Sequence, residues 1–375
     1  MRSSAASDVY KRQEKRMNKA FVFYRFPHAS EYTVMRQLTG TPTALCSYEQ
    51  IGEMPGFIFA PFNITSHCPL LLLRPDIIEK HEVNFKTDFD TCIFATRDIE
   101  NERNKYGRVF RRFHEMLTKG SFQKIVLSRV SIEQSETDID SVKLFKRACC
   151  LYPRMFIALV SMPQCGTWLM ATPEILVESN GQRWHTMAVA GTMHIDTVND
   201  TDEHLATRKQ ASDISEWNEK NKQEQAYVSE YILSRLQHMG TDIQVTGPYT
   251  LRAGIVKHLT TDFNFNLAPE FTIGQLINTL HPTPAVCGIP KDRTYKYILS
   301  NEEYDRKYYS GFTGVVNCDE GTHLYVTLRC MQIEGPEYKL YGGGGLLADS
   351  EEHNEWLETE TKMETIRKCL AIKRM

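Results

Sequence analysis

A chain of 375 residues with 41% hydrophobic and 24% charged side chains has the make-up of a globular protein, long enough to bury one large core or two ordinary ones. Its formal net charge of −3 gives no electrostatic reason to expect nucleic acid or an anionic membrane as a partner. Ten cysteines form no C-x-x-C pair and no zinc-ligand spacing, which points to scattered reduced thiols in a cytosolic, cytoplasmic protein.

The first sixteen residues, MRSSAASDVYKRQEKR, are polar and lack an apolar segment, so they are no secretory signal and read as a non-native or disordered leader. Met17 is the expected true start, and residues 17–375 are expected to form one domain. From residue 17 to 99 the chain carries short apolar runs, AFVFYRF, PGFIFAPF, CPLLLLRP and TCIFATR, separated by Pro, Gly and Asn, and these predict strands. The run Pro69–Leu73 is too short to span a bilayer.

From Glu100 to Lys119, Tyr106, Val109, Phe110, Phe113, Met116 and Leu117 recur at helical spacing, and Gly120 suits the position just past the helix end. The segment FQKIVLSRVSI predicts a strand in which Lys124 shares a face with Val126, Ser128, Val130 and Ile132. Desolvation on such a face favours the neutral amine that a base needs; the alternative is a lysine at the strand mouth that reaches out to water. A helix from Ser141 to Cys150 leads to strands MFIALVSM and TWLMAT, after which Pro173 holds Thr172 extended and Glu174 starts the next strand. A glutamate there is either solvated or, opposite a lysine in a pocket, a general acid.

The strand RWHTMAVAGT ends in Gly191 and Thr192. In the helix expected from Ser212 to His238, Glu224 interrupts a stripe of Trp217, Asn221, Val228 and Tyr231, so its carboxylate needs a cation, a donor or a metal; Lys220 is the simplest partner. Two prolines after His281 make that loop rigid. Near the C-terminus Gly342–Gly345 open the way for backbone N–H groups to approach an anion, and Glu355, Glu358 and Lys362 follow on one helical face. Read alone, that stretch is a flexible turn and a solvated helix with an ordinary Glu358–Lys362 pair. The mixed order of strands and helices argues an α+β fold.

The ordered set FQKIVLSR, TPEIL, VAGT, EKNKQEQ, LHPTPAVCG, YSGFTG, VTLRC, GGGGLLADS and EWLETETK resembles the chorismate-utilising enzymes, above all the isochorismate synthases of menaquinone and siderophore biosynthesis. The resemblance spans roughly Glu100 to Cys369. It implies a large α+β domain with two antiparallel β-sheets packed face to face and helices outside, and a Mg²⁺-dependent isomerase acting on chorismate. By the same resemblance Lys124 activates water for attack at ring carbon 2, and Glu174 protonates the hydroxyl leaving ring carbon 4. Glu224, Glu358 and Glu355 match the family's magnesium ligands. Gly191, Thr192, His281, Tyr309, Arg329, Gly343, Gly345 and Lys362 match its substrate contacts. Two departures stand out: Gln225 follows Glu224 where many relatives have histidine, and VAGT replaces L-A-G-T. Anthranilate synthases typically carry P-I-K-G-T and lack the base lysine, so no glutamine amidotransferase subunit is expected, and the protein is expected to be a monomer or weak homo-oligomer. Salicylate synthase, which adds pyruvate elimination, is the nearest enzymatic alternative. A non-catalytic anion- or nucleotide-binding protein is the alternative of another class, although the glycines lack the G-K-[ST] of a P-loop.

Overall fold

The computed structural model describes residues 20–85, 91–179, 181, 183–194, 214–253 and 256–374. The leader and part of the polar loop before the long helix lie outside the described residues. Strands are the commonest element of the described chain, because its short runs of Val, Ile, Leu and aromatic residues end at Gly and Pro before a helix can propagate.

The first sheet runs, in spatial order, through Gly288–Ile289, Lys124–Gln134, Glu337–Leu346, Cys330–Glu334, Gly166–Thr172, Phe156–Met162, Ala20–Arg25, Glu31–Gln37 and Ile77–Glu82. The second runs through Gly240–Ala253, Val256–Leu267, Arg183–His194, Ile175–Ser179, Gly321–Val326, Phe312–Cys318, Gly56–Ala60, Leu70–Leu73 and Thr43–Leu45. Pairings within both are antiparallel, and the strands before residue 83 are divided between them, while Cys92–Phe94 pairs parallel with Ile372–Arg374 in a separate two-stranded sheet. Val22, Ala158, Met170 and Tyr341 of the first sheet meet Phe57, Phe59, Leu71 and Val315 of the second in a dry layer, so the sheets pack face to face.

Six helices cover this sandwich among the described residues: α1 (Ile99–Thr118), α2 (Ser141–Leu151), α3 (Glu219–Met239), α4 (Ile273–Leu280), α5 (Lys291–Asn301) and α6 (Glu352–Arg367). α3 and α4 bury Val228, Ile232, Leu236, Leu276 and Leu280 on the outer face of the second sheet. α2 and α6 bury Leu144, Phe145, Met363 and Ile366 on the first. The α+β arrangement expected from the sequence is therefore the one found. No described helix is long and apolar enough to cross a membrane.

Local sequence explains the boundaries that matter for the site. α3 begins at Glu219 because Asn218 caps it, accepting from the N–H of Asn221 at 2.8 Å; Trp217, expected within the helix, lies before it and donates its indole N–H to Thr250. The glycine run is not a turn: Gly342–Gly345 form the end of a strand, each opposite a residue of Arg129–Val126. Beyond Leu340 that strand loses its other neighbour, so only one of its two edges stays paired along the glycines. On the face of the second sheet opposite α3 and α4, Tyr249, Asp262, His185, Glu178 and His323 form an unbroken side-chain chain across five adjacent strands. His185 binds Glu178 at 2.9 Å and Asp262 at 3.0 Å.

Candidate active site

The chain passes from one sheet to the other at two adjacent corners, and both carry candidate residues. Thr172-Pro173-Glu174-Ile175 takes it from the first sheet to the second, and Thr327-Leu328-Arg329 takes it back. The corners are tied together where the N–H of Val326 donates to the carbonyl of Glu174 at 2.9 Å and the N–H of Ala171 to that of Arg329 at 3.2 Å. A corner cannot continue a ladder, so Glu174 and Arg329 turn inward toward a cavity at the end of the sandwich. Arg329 holds φ at +46°, an uncommon backbone state for a residue with a Cβ.

That cavity is lined by Glu174, Gly191, Thr192, Glu224, Tyr309, Arg329, Gly343, Gly345 and Lys362, all expected from the sequence, together with Val126, Pro173, Val189, Ala190, His258, Ala285, Val286, Leu328 and Gly344. Lys124 stands immediately behind this lining, fully buried, with its Nζ 3.0 Å from Glu224 Oε1. Glu224 thus takes Lys124 as its cation and not Lys220 on its own helix. Its other oxygen accepts the N–H of Gly191 at 3.2 Å. The Gly191-Thr192 pair is a bulge within a strand, with Gly191 at φ +69°.

Glu174 is buried and carries the site's most telling electrostatics. Burial raises its carboxyl to about 7, against the opposing pull of the positive charges on Lys124, Arg329 and Lys362. Such a group exists as acid and carboxylate in comparable amounts at neutral pH, which suits proton donation.

Glu355 and Glu358 project from α6 behind Gly344. A Cβ placed on Gly344 would lie 3.2 Å from Glu355 Oε2 and 3.3 Å from Glu358 Oε1, so both carboxylates converge on one point of bare backbone. Lys362 donates to Glu358 at 2.5 Å and to the carbonyl of Gly343 at 3.0 Å, while Thr192 donates its hydroxyl to Glu358 at 3.2 Å. Burial pushes Glu358 upward, but Lys362 outweighs it and holds this carboxylate below its ordinary value. Glu355 goes the other way, to about 7, through burial and the charge of Glu358, with Lys220 opposing.

Magnesium fits this donor set. Among the described residues no three His, Cys, Asp or Glu side chains form a closed metal shell. Mg²⁺ does not ask for one, since it keeps several waters and takes one or two carboxylates plus an anionic ligand. Glu355 Oε2 is buried with no hydrogen-bond partner, an orphaned acceptor of the kind a hard cation satisfies.

His281 is the candidate that the fold does not bring to the cavity. Its ring packs between Tyr48 and Phe312, at 5.4 and 4.9 Å between centroids, inside the hydrophobic layer under α4. Gln225, the departure noted next to Glu224, faces the sheet. Its amide donates to Ala188, Thr261 and Ser229 and ties α3 to two strands.

Sequence reasoning missed His258, and it gave Lys220 to Glu224 where the fold gives it to Glu355. His258 has Nδ1 2.8 Å from the carbonyl of Gly191, so that nitrogen carries the proton, and Nε2 accepts from Arg329 at 2.8 Å. Burial, followed by the charges of Arg329 and Lys362, lowers its pKa to about 3, so the ring is neutral. The signal for His258 was its place in the alternating strand VKHLTT, where an inward polar residue needs two partners.

A two-sheet α+β sandwich whose cavity is lined by Arg329, Lys362, Glu174 and Glu224, with Lys124, Glu355 and Glu358 directly behind that lining, is suited to an anionic small molecule. Residues 74–371 match the model of a family described as chorismate binding enzymes, and the chain belongs to that family. It is 26% identical to isochorismate synthase EntC of Escherichia coli strain K12 over 71% of this chain, and the match spans 66% of that protein's length, just under two thirds. Its fold matches the solved structure of DhbC from Bacillus anthracis with a TM-score of 0.77 at 23% identity, covering 94% of this chain and 97% of the other. It matches MenF, the menaquinone-specific isochorismate synthase of Escherichia coli, with a TM-score of 0.76 at 20% identity, covering 94% and 89%.

Proposed function

We propose that this protein is an isochorismate synthase, converting chorismate to isochorismate reversibly in a Mg²⁺-dependent reaction. The observation that carries this reading is the pairing, at one cavity, of a fully buried lysine with a buried glutamate whose carboxyl is raised to about 7. In the proposed reaction Lys124, as the free amine, takes a proton from a water that attacks ring carbon 2. The ring double bond shifts, and the hydroxyl on ring carbon 4 leaves as water after accepting the proton of Glu174. Lys124 ends as ammonium and Glu174 as carboxylate, and proton exchange with solvent restores both. The reverse reaction uses the same two groups with their roles exchanged.

Arg329, Tyr309 and Lys362 bind the substrate carboxylates, helped by backbone groups at Gly343 and Gly345. Arg329 offers a planar pair of donors, and His258 keeps one of its nitrogens occupied so that the guanidinium holds one orientation. Gly191 and Thr192 lie against the ring. Glu224, Glu355 and Glu358 would hold magnesium, which supplies positive charge against a substrate carboxylate.

The deciding experiment incubates the protein with chorismate and Mg²⁺ and resolves the products. Isochorismate as the product is expected. Salicylate and pyruvate as main products would replace this reading with salicylate synthase, and no turnover with intact chorismate binding would replace it with a binding protein.

A further inference from the structure

Lys220 is the one lysine of the carboxylate cluster to which the proposed reaction gives no task. It sits in the first turn of α3, one turn before Glu224. A cation there opposes the helix macrodipole, so something outside the helix offsets the position. Helical spacing would hand it Glu224, four residues on. That carboxylate is already engaged by Lys124 at 3.0 Å and by the N–H of Gly191 at 3.2 Å. Lys220 instead reaches across to α6 and donates a short hydrogen bond to Oε1 of Glu355.

The consequence lies in the other oxygen. Glu355 is 1% exposed, and Oε2 has no hydrogen-bond partner. It points to the bare backbone of Gly344, where Glu358 Oε1 also points, the two lying 3.2 and 3.3 Å from the position of a Cβ there. The ammonium therefore divides the carboxylate into one anchored oxygen and one open oxygen beside a second carboxylate. Without it, this buried carboxylate would keep only a hydroxyl contact with Ser350 and no cation, and burial of an unpaired charge is strongly unfavourable.

We propose that Lys220 is a positioning residue for a divalent cation, anchoring one oxygen of Glu355 so that the other faces the ion together with Glu358. The inference rests on the magnesium reading above. It requires that Lys220 keeps its bond to Glu355 when the ion binds; an ammonium that merely held the ion's seat would have to leave.

Calorimetric titration of Mg²⁺ into the full-length protein, stripped of metal with a chelator, separates these arrangements. Lys220→Met is expected to weaken Mg²⁺ binding 10- to 100-fold, the range for residues that orient a ligand. Lys220→Arg, which can still anchor Oε1, is expected to restore binding to within a few-fold of wild type. Circular dichroism of each variant checks the fold, and Lys220→Gln replaces the methionine variant if that one unfolds, with the same weakening expected. Unchanged or tighter Mg²⁺ binding by Lys220→Met or Lys220→Gln overturns this inference alone. Absence of Mg²⁺ binding by the wild-type protein overturns the magnesium reading, and this inference falls with it.

Discussion

Replacing Gly345 by alanine tests whether the glycine strand is a wall of the active site. The backbone there is ordinary extended strand, so on conformational grounds Gly345→Ala should stabilise the protein by about 0.4–1 kcal/mol through its unfolded state. Sterics oppose this. The new Cβ would stand 2.1 Å from Glu224 Oε1 and 2.7 Å from Lys124 Cε, and relieving such overpacking costs about 1–3 kcal/mol. Both obstructing atoms belong to side chains that can give way, so the net loss of stability falls at the low end, about 0–2 kcal/mol, or a few degrees in Tm. Function has no such slack. Glu224 must retreat by about 1 Å, which separates it from Lys124, and a displacement of that size in a reacting group lowers the rate about 100-fold. Steady-state kinetics with chorismate, beside thermal unfolding of the same preparation, measures both. Gly344→Ala is the milder control, because its Cβ would meet Glu355 and Glu358 at 3.2 and 3.3 Å; about tenfold loss is expected there. Wild-type turnover in Gly345→Ala with unchanged Tm would refute both the contact and the role assigned to Lys124.

Three further outcomes are expected. Lys124→Ala and Glu174→Gln should each lower kcat by about 10²–10⁴ with little change in KM, as measured by product formation at saturating chorismate. In the forward direction the proton on Glu174 is required, so kcat should fall as pH rises above about 7 and lose that limb in Glu174→Gln; a pH profile unchanged by the substitution would exclude Glu174 as the acid. The chain of side chains across the second sheet gives a stability prediction. His185 is raised from 6.5 to about 9 because its bonds to Asp262 and Glu178 outweigh burial. A histidine raised in the folded state stabilises fully below 6.5 and loses that contribution as pH rises through about 9; the shift corresponds to about 3 kcal/mol. The Tm deficit of His185→Ala should therefore be large at pH 6 and shrink by pH 10, and an equal deficit at both would rule the linkage out.

How much of this was legible in the sequence depends on the range of the interaction involved. Period-two and period-3.6 patterns are local, so α1 was readable to within one residue at each end, and the Lys124–Gln134 strand to within two. Asn218 was equally readable as a cap but lay inside an apolar stripe, and the stripe led to a helix start that was too early. Four glycines suggested a turn, since glycine weakens a strand. The ladder to Arg129–Val126, and the approach of Glu224 to Gly345 and of Glu355 and Glu358 to Gly344, reverse that reading, and both involve residues far away in sequence.

The motifs carried the candidate residues, and the family match agrees with the resemblance they suggested. A motif cannot say which cation meets which carboxylate. Glu224 had Lys220 within one helical turn, yet it is paired with Lys124, 100 residues away in another element, and Lys220 is paired with Glu355. His281 looked like a site residue because its loop is rigid, but rigidity says nothing of direction, and the fold turns its ring into the core between Tyr48 and Phe312. What the amino-acid order determines by itself is which groups are present and which local elements carry them. The raised carboxyl of Glu174, the neutral His258 and the open oxygen of Glu355 arise only when two sheets, α3 and α6 close around one cavity, because burial and charge pairing are properties of the assembled neighbourhood.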